Sequence, residues 1–202
     1  LELFRNMAGW SVNVVSRVSD ADMETLLGIE HGGMNESMLD AYQLFGDEKY
    51  LTAAKKYSHR MMLDGMQTLS TTFLDGKHAN TQVPKYIGFE RIGEQDATAT
   101  NYLRAAQNFW TDVAQNRTVC IGGNSVSEHF LSRESSNRYI DILDGPESCN
   151  SNNMLKLTEM LSDRTIAAQP TTAARYADFY EGTMWNHILS TQDPLTGGYV
   201  YF

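Results

Sequence analysis

Apolar residues along this chain recur at three- and four-residue spacing far more often than they alternate, and that period belongs to helices. The first run, from Leu1 to about Val18, carries Leu3, Phe4, Met7, Trp10 and Val14. Asn35–Phe45 sets Met38, Leu39, Tyr42 and Phe45 on one face, Gly46-Asp47 interrupts the pattern, and Glu48–Tyr57 resumes it. Further helices are predicted over Ala97–Gln115, with Tyr102, Leu103, Ala106, Phe109 and Trp110, over Asn152–Leu161, and over Ala173–Leu189. Period-two alternation is missing until Tyr199–Phe202, which reads as a strand just beginning.

These helices pair into hairpins that recur at roughly 50–70 residues, too long for a tetratricopeptide array with its period of about 34. An all-α fold of the (α/α)-toroid type, a partial (α/α)6 barrel with a short β element at its C-terminal end, fits that recurrence. Residues 1–202 are then expected to form part of one barrel domain. The long loops between helices gather the unusual residues: His31–Glu36, His78–Lys85, Gly122–Phe130 and Gly145–Asn150. Each sets His, Asn or a carboxylate beside Gly or Pro, and loops on a rigid scaffold are where sites are commonly built.

Composition narrows the function. Hydrophobic residues make up 42 %, enough for a substantial core. The formal charge is -9, spread along the chain, which removes the basic footprint that nucleic-acid binding needs. No apolar run approaches the ~20 residues of a membrane span. Both ends read as cut from something longer, so the compartment, whether periplasmic, secreted or bacterial cytoplasmic, is not legible. Cys120 and Cys149 leave open a disulfide or separate core and ligand roles.

Glu147-Ser148-Cys149 is the sharpest local pattern. A carboxylate and a thiolate two residues apart in an extended segment can face one Zn²⁺, and the following Asn150 and Ser151 are good helix N-caps. The bland alternative is a small buried Cys beside a capping Glu, because two ligands do not make a zinc site. Glu128, after a Gly-rich loop and near Phe130, suits a general acid/base, or is a solvated loop residue. His31 and His78, on Gly- or Asn-containing turns, suit hydrogen bonds to sugar hydroxyls, or to backbone. Trp10, Trp110 and Trp185 read as core, Lys85 as surface charge, and Glu181 as either surface or cavity-facing.

Taken together, HGGMNE (31–36), HANTQVPK (78–85), GGNSVSEHF (122–130), GPESCNSNNMLKLT (145–158), YADFYEGTMWNHIL (176–189) and TQDPLTGGYVYF (191–202) resemble the β-L-arabinofuranosidases of glycoside hydrolase families 127 and 146. The resemblance implies an (α/α)6 barrel in a longer chain that also carries β-sandwich regions. It implies a retaining exo-hydrolase acting on terminal β-L-arabinofuranose in an arabinose-containing oligosaccharide or glycan, and leaves room for a homodimer. Carried over by motif, Glu128 takes the acid/base place, Glu147 and Cys149 the places of two Zn²⁺ ligands, and His78, His31 and Glu181 the places of sugar-binding residues. The resemblance puts the cysteine nucleophile and a further Cys ligand in a Cys-Cys motif downstream, so this chain is expected to hold half the metal site and, alone, to be inactive. Ser162–Ala174 looks longer than the family's usual hairpin connection.

Two rival readings stay open. One keeps the fold and changes the sugar to another pectic residue; an acidic one would use Lys85 or Arg91. The other is a non-catalytic helical scaffold that binds carbohydrate or protein, which needs no cluster of His and Glu.

Overall fold

The computed structural model of the chain describes residues 1–29, 32–135 and 142–201. The helical period translates into α1 (Glu2–Val15), α2 (Asp20–Leu27), α3 (Met34–Phe45), α4 (Glu48–Lys56), α5 (Arg60–Gly65), α6 (Ala79–Gln95), α7 (Thr100–Asn116), α8 (Ser148–Thr165) and α9 (Pro170–Thr183). A π-helical turn over Met184–Ile188 and a 3₁₀ turn over Leu189–Thr191 extend α9. The C-terminal β element is a single antiparallel bridge between Gln192 and Tyr199.

Local chemistry explains the boundaries. α3 stops where Gly46 takes a left-handed conformation (φ 67°), and α4 starts on Asp47, whose side chain accepts the Lys49 N–H at 3.0 Å. The first predicted helix ends at Val15, close to the expected Val18, and a further helix follows it that the apolar pattern did not predict, because Ser19 accepts the Asp22 N–H at 3.1 Å and starts a new one. The stretch 78–85, expected as a loop, is the beginning of α6. Pro84 sits inside that helix and its sequence signal misleads: proline removes one hydrogen bond there without ending the element. The long polar stretch Ser162–Ala174 is also largely helical, since α8 runs to Thr165 and α9 begins at Pro170.

The chain divides into two compact units, Leu1–Gln67 with Pro84–Ala106, and Thr68–Val83 with Gln107–Phe202. In the first, α3 packs on α4, and α1 on both. Leu39, Ala41, Ala54, Leu63 and Phe89 are wholly buried, and each large apolar side chain so buried contributes about 1.5–3 kcal/mol. Tyr86, Phe89 and Tyr102 meet edge to face at 5.1 and 5.6 Å. The inner face of α1 is small, Ala8, Ser11 and Val15, so its large residues turn outward. Trp10, expected in the core, is therefore 69 % exposed.

Two polar groups lie deep in this unit. Lys85, expected at the surface, is buried and donates to His59 Nδ1 at 2.9 Å and to the Leu27 carbonyl at 3.3 Å. Asn35 is fully buried and donates to the Lys85 carbonyl at 2.9 Å, its amide lying against Gly88. A methyl group at Gly88 would overlap that amide. Gly88→Ala is expected to lower stability by about 1–3 kcal/mol, the cost of disturbing a buried hydrogen bond, despite alanine's better helix propensity. A thermal melt that rises instead would show that Asn35 relocates freely.

The second unit is built on the later part of α7, α8 and α9. Trp110 donates its indole N–H to Thr158 at 2.8 Å and meets Tyr176 edge-on at 4.4 Å. Phe109 stacks edge-on against Phe130 at 6.2 Å, which anchors the loop carrying the candidate acid/base. Trp185 lies on the π-helical turn and is 60 % exposed, again contrary to the core expectation.

Candidate active site

Glu128 sits in a tight turn that nothing in the local residue pattern marks. Ser127 (φ 44°) and Glu128 (φ 67°) are consecutive non-glycine residues in the left-handed region. Such backbone costs on the order of 1–3 kcal/mol per residue and persists only where surroundings impose it. Here Val126 N–H donates to the His129 carbonyl at 2.9 Å, and Ser127 N–H to the Asp144 carbonyl at 3.0 Å. His129 Nδ1–H closes the turn on the Ser127 carbonyl at 2.6 Å.

The same turn docks on the start of α6. The Glu128 carbonyl accepts the Ala79 N–H at 2.7 Å. His78 Nδ1 accepts the Thr81 N–H at 3.2 Å and also lies 3.0 Å from the Thr81 hydroxyl, so the imidazole acts as the helix's N-cap. A backbone N–H can only donate. Nδ1 therefore carries the lone pair, and in the neutral ring the proton is on Nε2, which lies 3.5 Å from Glu128 Oε2. His129 crosses His78 edge-on at 5.3 Å. The two residues singled out from separate loops are thus brought together, both partly open to solvent.

Beneath this turn lies a charged brace that sequence reading missed. Asp112 is fully buried and accepts from Arg117 Nε and from Arg133 Nε, each at 2.8 Å. Arg117 reaches Asp75 at 2.7 Å and the Thr71 carbonyl at 3.0 Å, and Arg133 reaches the Ser70 carbonyl at 3.0 Å. The brace ties the segment before His78 to the segment after Glu128. Nothing in the local sequence marks Asp112 as different from any other helical acid.

The Glu147–Cys149 segment adjoins the same loop. Glu147 N–H donates to Ser125 Oγ at 3.3 Å. The segment is not extended as expected: Glu147 is the N-cap residue and Cys149 lies in the first turn of α8. Glu147 is buried, and the Tyr201 hydroxyl donates to its carboxylate. The Cys149 thiol is pushed up to about 12 by desolvation and by hydrogen bonding to the Glu147 carboxylate. The carboxylate likewise holds the Tyr201 hydroxyl above its ordinary range. A thiol so placed stays protonated unless a cation is present, which is the chemistry a metal supplies.

A zinc ion fits these donors in part. Carboxylate oxygen and thiolate sulfur are both accepted by Zn²⁺, and they face one another here. Among the described residues no group of three or more His, Cys, Asp or Glu side chains is disposed to hold a metal, so this pair is short of the three or four protein ligands of a zinc site. The two cysteines are both free, and Cys120 is exposed, which removes the disulfide and the core role left open for it.

Glu181 is exposed on α9, in a groove shared with Glu159, Asp163, Tyr176 and Tyr180. His31 lies outside the described residues. Arg91 is engaged by Asp40, by Gln43 at 2.6 Å and by Glu36 at 3.6 Å.

Comparison with known proteins follows the same lines. Two solved structures share the fold. A GH127 β-arabinofuranosidase has a TM-score of 0.63 at 18 % identity, over 85 % of this chain and 27 % of its own. A GH127 β-L-arabinofuranosidase from Geobacillus stearothermophilus T6 has a TM-score of 0.60 at 17 % identity, over 85 % of this chain and 30 % of its own. This chain therefore spans less than a third of either enzyme, and the helices are part of an (α/α) barrel of their kind. No curated protein matches the chain. The family model described as "Beta-L-arabinofuranosidase, GH127 catalytic domain" matches residues 1–202, and the chain belongs to that family.

Proposed function

We propose that the protein is a retaining, exo-acting β-L-arabinofuranosidase in which Glu128 is the general acid/base. Glu147 and Cys149 supply part of a zinc site, and the cysteine nucleophile lies elsewhere in the longer protein. The observation that carries this reading is the Glu128 turn. A carboxyl group is held in backbone that costs free energy, beside the Nε2–H of His78, on a loop bonded to the Glu147 segment. A non-catalytic scaffold would gain nothing from that strain.

In a double displacement Glu128 first acts as an acid, protonating the departing glycosidic oxygen, and is left as a carboxylate. It then takes a proton from the incoming water and is restored as an acid. His78 Nε2–H is positioned to donate to a sugar hydroxyl or to steady the Glu128 carboxylate between the two steps. His31 and Glu181 complete the sugar contacts. When bound, zinc would keep its thiol ligands ionised and oriented. The substrate is a glycan ending in β-L-arabinofuranose. An acidic pectic sugar finds less support, since Lys85 is buried against His59 and Arg91 is taken up by carboxylates.

The test is hydrolysis of an aryl β-L-arabinofuranoside by the full-length, zinc-loaded protein, with the first-formed anomer read by NMR. Release of β-L-arabinose is expected. Appearance of the α anomer first would overturn retention, and no release from any arabinofuranoside would overturn the substrate. Cys149→Ala is expected to lower the zinc content measured by elemental analysis, and full metal occupancy would remove Cys149 from the ligand set.

A further inference from the structure

The π-helical turn after α9 carries a histidine that the proposed reaction does not use. His187 is buried. Its Nε2 lies 3.0 Å from the Pro146 carbonyl, and its Nδ1 lies 2.8 Å from the Ser151 hydroxyl. A carbonyl only accepts, so the ring proton is on Nε2, and Nδ1 accepts from Ser151. Burial also lowers the pKa of His187, which keeps the ring in this neutral form. Pro146 immediately precedes Glu147, and Ser151 comes two residues after Cys149. One imidazole therefore spans the candidate ligand pair from both sides.

Packing adds to the grip. A methyl group at Gly123 would overlap the Pro146 ring and lie 3.4 Å from His187 Cε1, so the glycine packs closely against Pro146 and borders the imidazole. The π register, with Leu189 N–H bonded to the Met184 carbonyl, is an uncommon turn, frequent at functional sites. Filling this space alone would need only an apolar side chain. Bonding both flanks requires two ring nitrogens of opposite polarity.

We infer that His187 is a positioning residue that clamps the Glu147–Cys149 segment by its two flanks and so sets the ligand geometry. The inference rests on the reading of Glu147 and Cys149 as zinc ligands. Ligand supports of this kind commonly set metal affinity by about 10–100-fold.

The experiment measures zinc affinity of the full-length protein by chelator competition, with amide hydrogen exchange of the metal-free protein alongside. His187→Ala is expected to weaken zinc binding about 10–100-fold and to speed exchange across residues 146–151 without changing it across α7. His187→Gln, whose amide nitrogen ends near the Nε2 position and still donates to Pro146, is expected to recover most of the loss. Ser151→Ala, which adds no bulk, is expected to weaken binding in the same direction, and serves if His187→Ala does not fold. Wild-type zinc affinity in His187→Ala or Ser151→Ala, alongside lost affinity in Cys149→Ala, would overturn the clamp while sparing the ligands. If Cys149→Ala leaves zinc binding unchanged, the ligand reading fails instead. The clamp is then judged by exchange alone, and unaltered exchange across 146–151 overturns it.

Discussion

Glu128→Gln in the full-length protein is expected to lower kcat by about 10²- to 10⁴-fold, the usual contribution of a positioned general acid/base. Glutamine has the shape of glutamate, so the left-handed turn and its bonds to Ala79 and Asp144 lose nothing. Zinc content should stay at the wild-type level, because Glu128 is not among the proposed ligands. The amide cannot protonate a departing oxygen, nor can it accept a proton from water. The loss in kcat/KM should therefore shrink for aryl glycosides whose phenols leave without protonation, while kcat stays low because release of the enzyme-bound sugar still lacks its base. Steady-state kinetics over a series of aryl leaving groups reads this dependence, and unchanged turnover would take Glu128 out of the reaction.

The largest effect on stability is expected from Asp112→Ala. The Asp112 carboxylate is the shared acceptor for Arg117 and Arg133, and the side chains of Asp112 and Arg117 are fully buried. Removing the anion leaves the buried Arg117 guanidinium with the partly exposed Asp75 as its counter-charge and takes the carboxylate from Arg133, and breaking a buried pair in this way costs about 3–5 kcal/mol. Chemical denaturation of the full-length protein should show that loss as a lower midpoint with little change in slope. Because the brace joins the chain before His78 to the chain after Glu128, activity should fall further than the folded fraction does. A midpoint within the error of wild type would mean that Asp75 and the surrounding carbonyls hold the arginines unaided.

Both effects arise from groups that differ sharply in how visible they are before folding. Glu128 could be singled out because it follows a Gly-rich loop beside His and Phe, and because the string around it resembles a family motif. Asp112 could not, since a lone acid in an amphipathic helix normally faces water. Lys85 and Trp10 depart from the usual environment of their residue types for the same reason. Residue type gives the average environment, whereas burial depends on which helix face meets which neighbour. On α1 the small residues Ala8 and Ser11 face inward and leave Trp10 outside. On α6 a lysine is accepted in the interior because His59 Nδ1 and a carbonyl are there to receive its protons.

The sequence by itself determined the all-helical class, the Gly46-Asp47 break, the family and the strings that hold the candidate chemistry. These are local properties. Apolar period, capping side chains and turn residues act within a few positions, and a motif is local by definition. Only the tertiary structure decided that His78 turns Nε2 to Glu128, that Tyr201 bonds Glu147, and that His187 spans Pro146 and Ser151. Those pairs lie far apart along the chain. Their meeting depends on how helices pack and on which buried polar atoms must find a partner, and no spacing along the sequence records that.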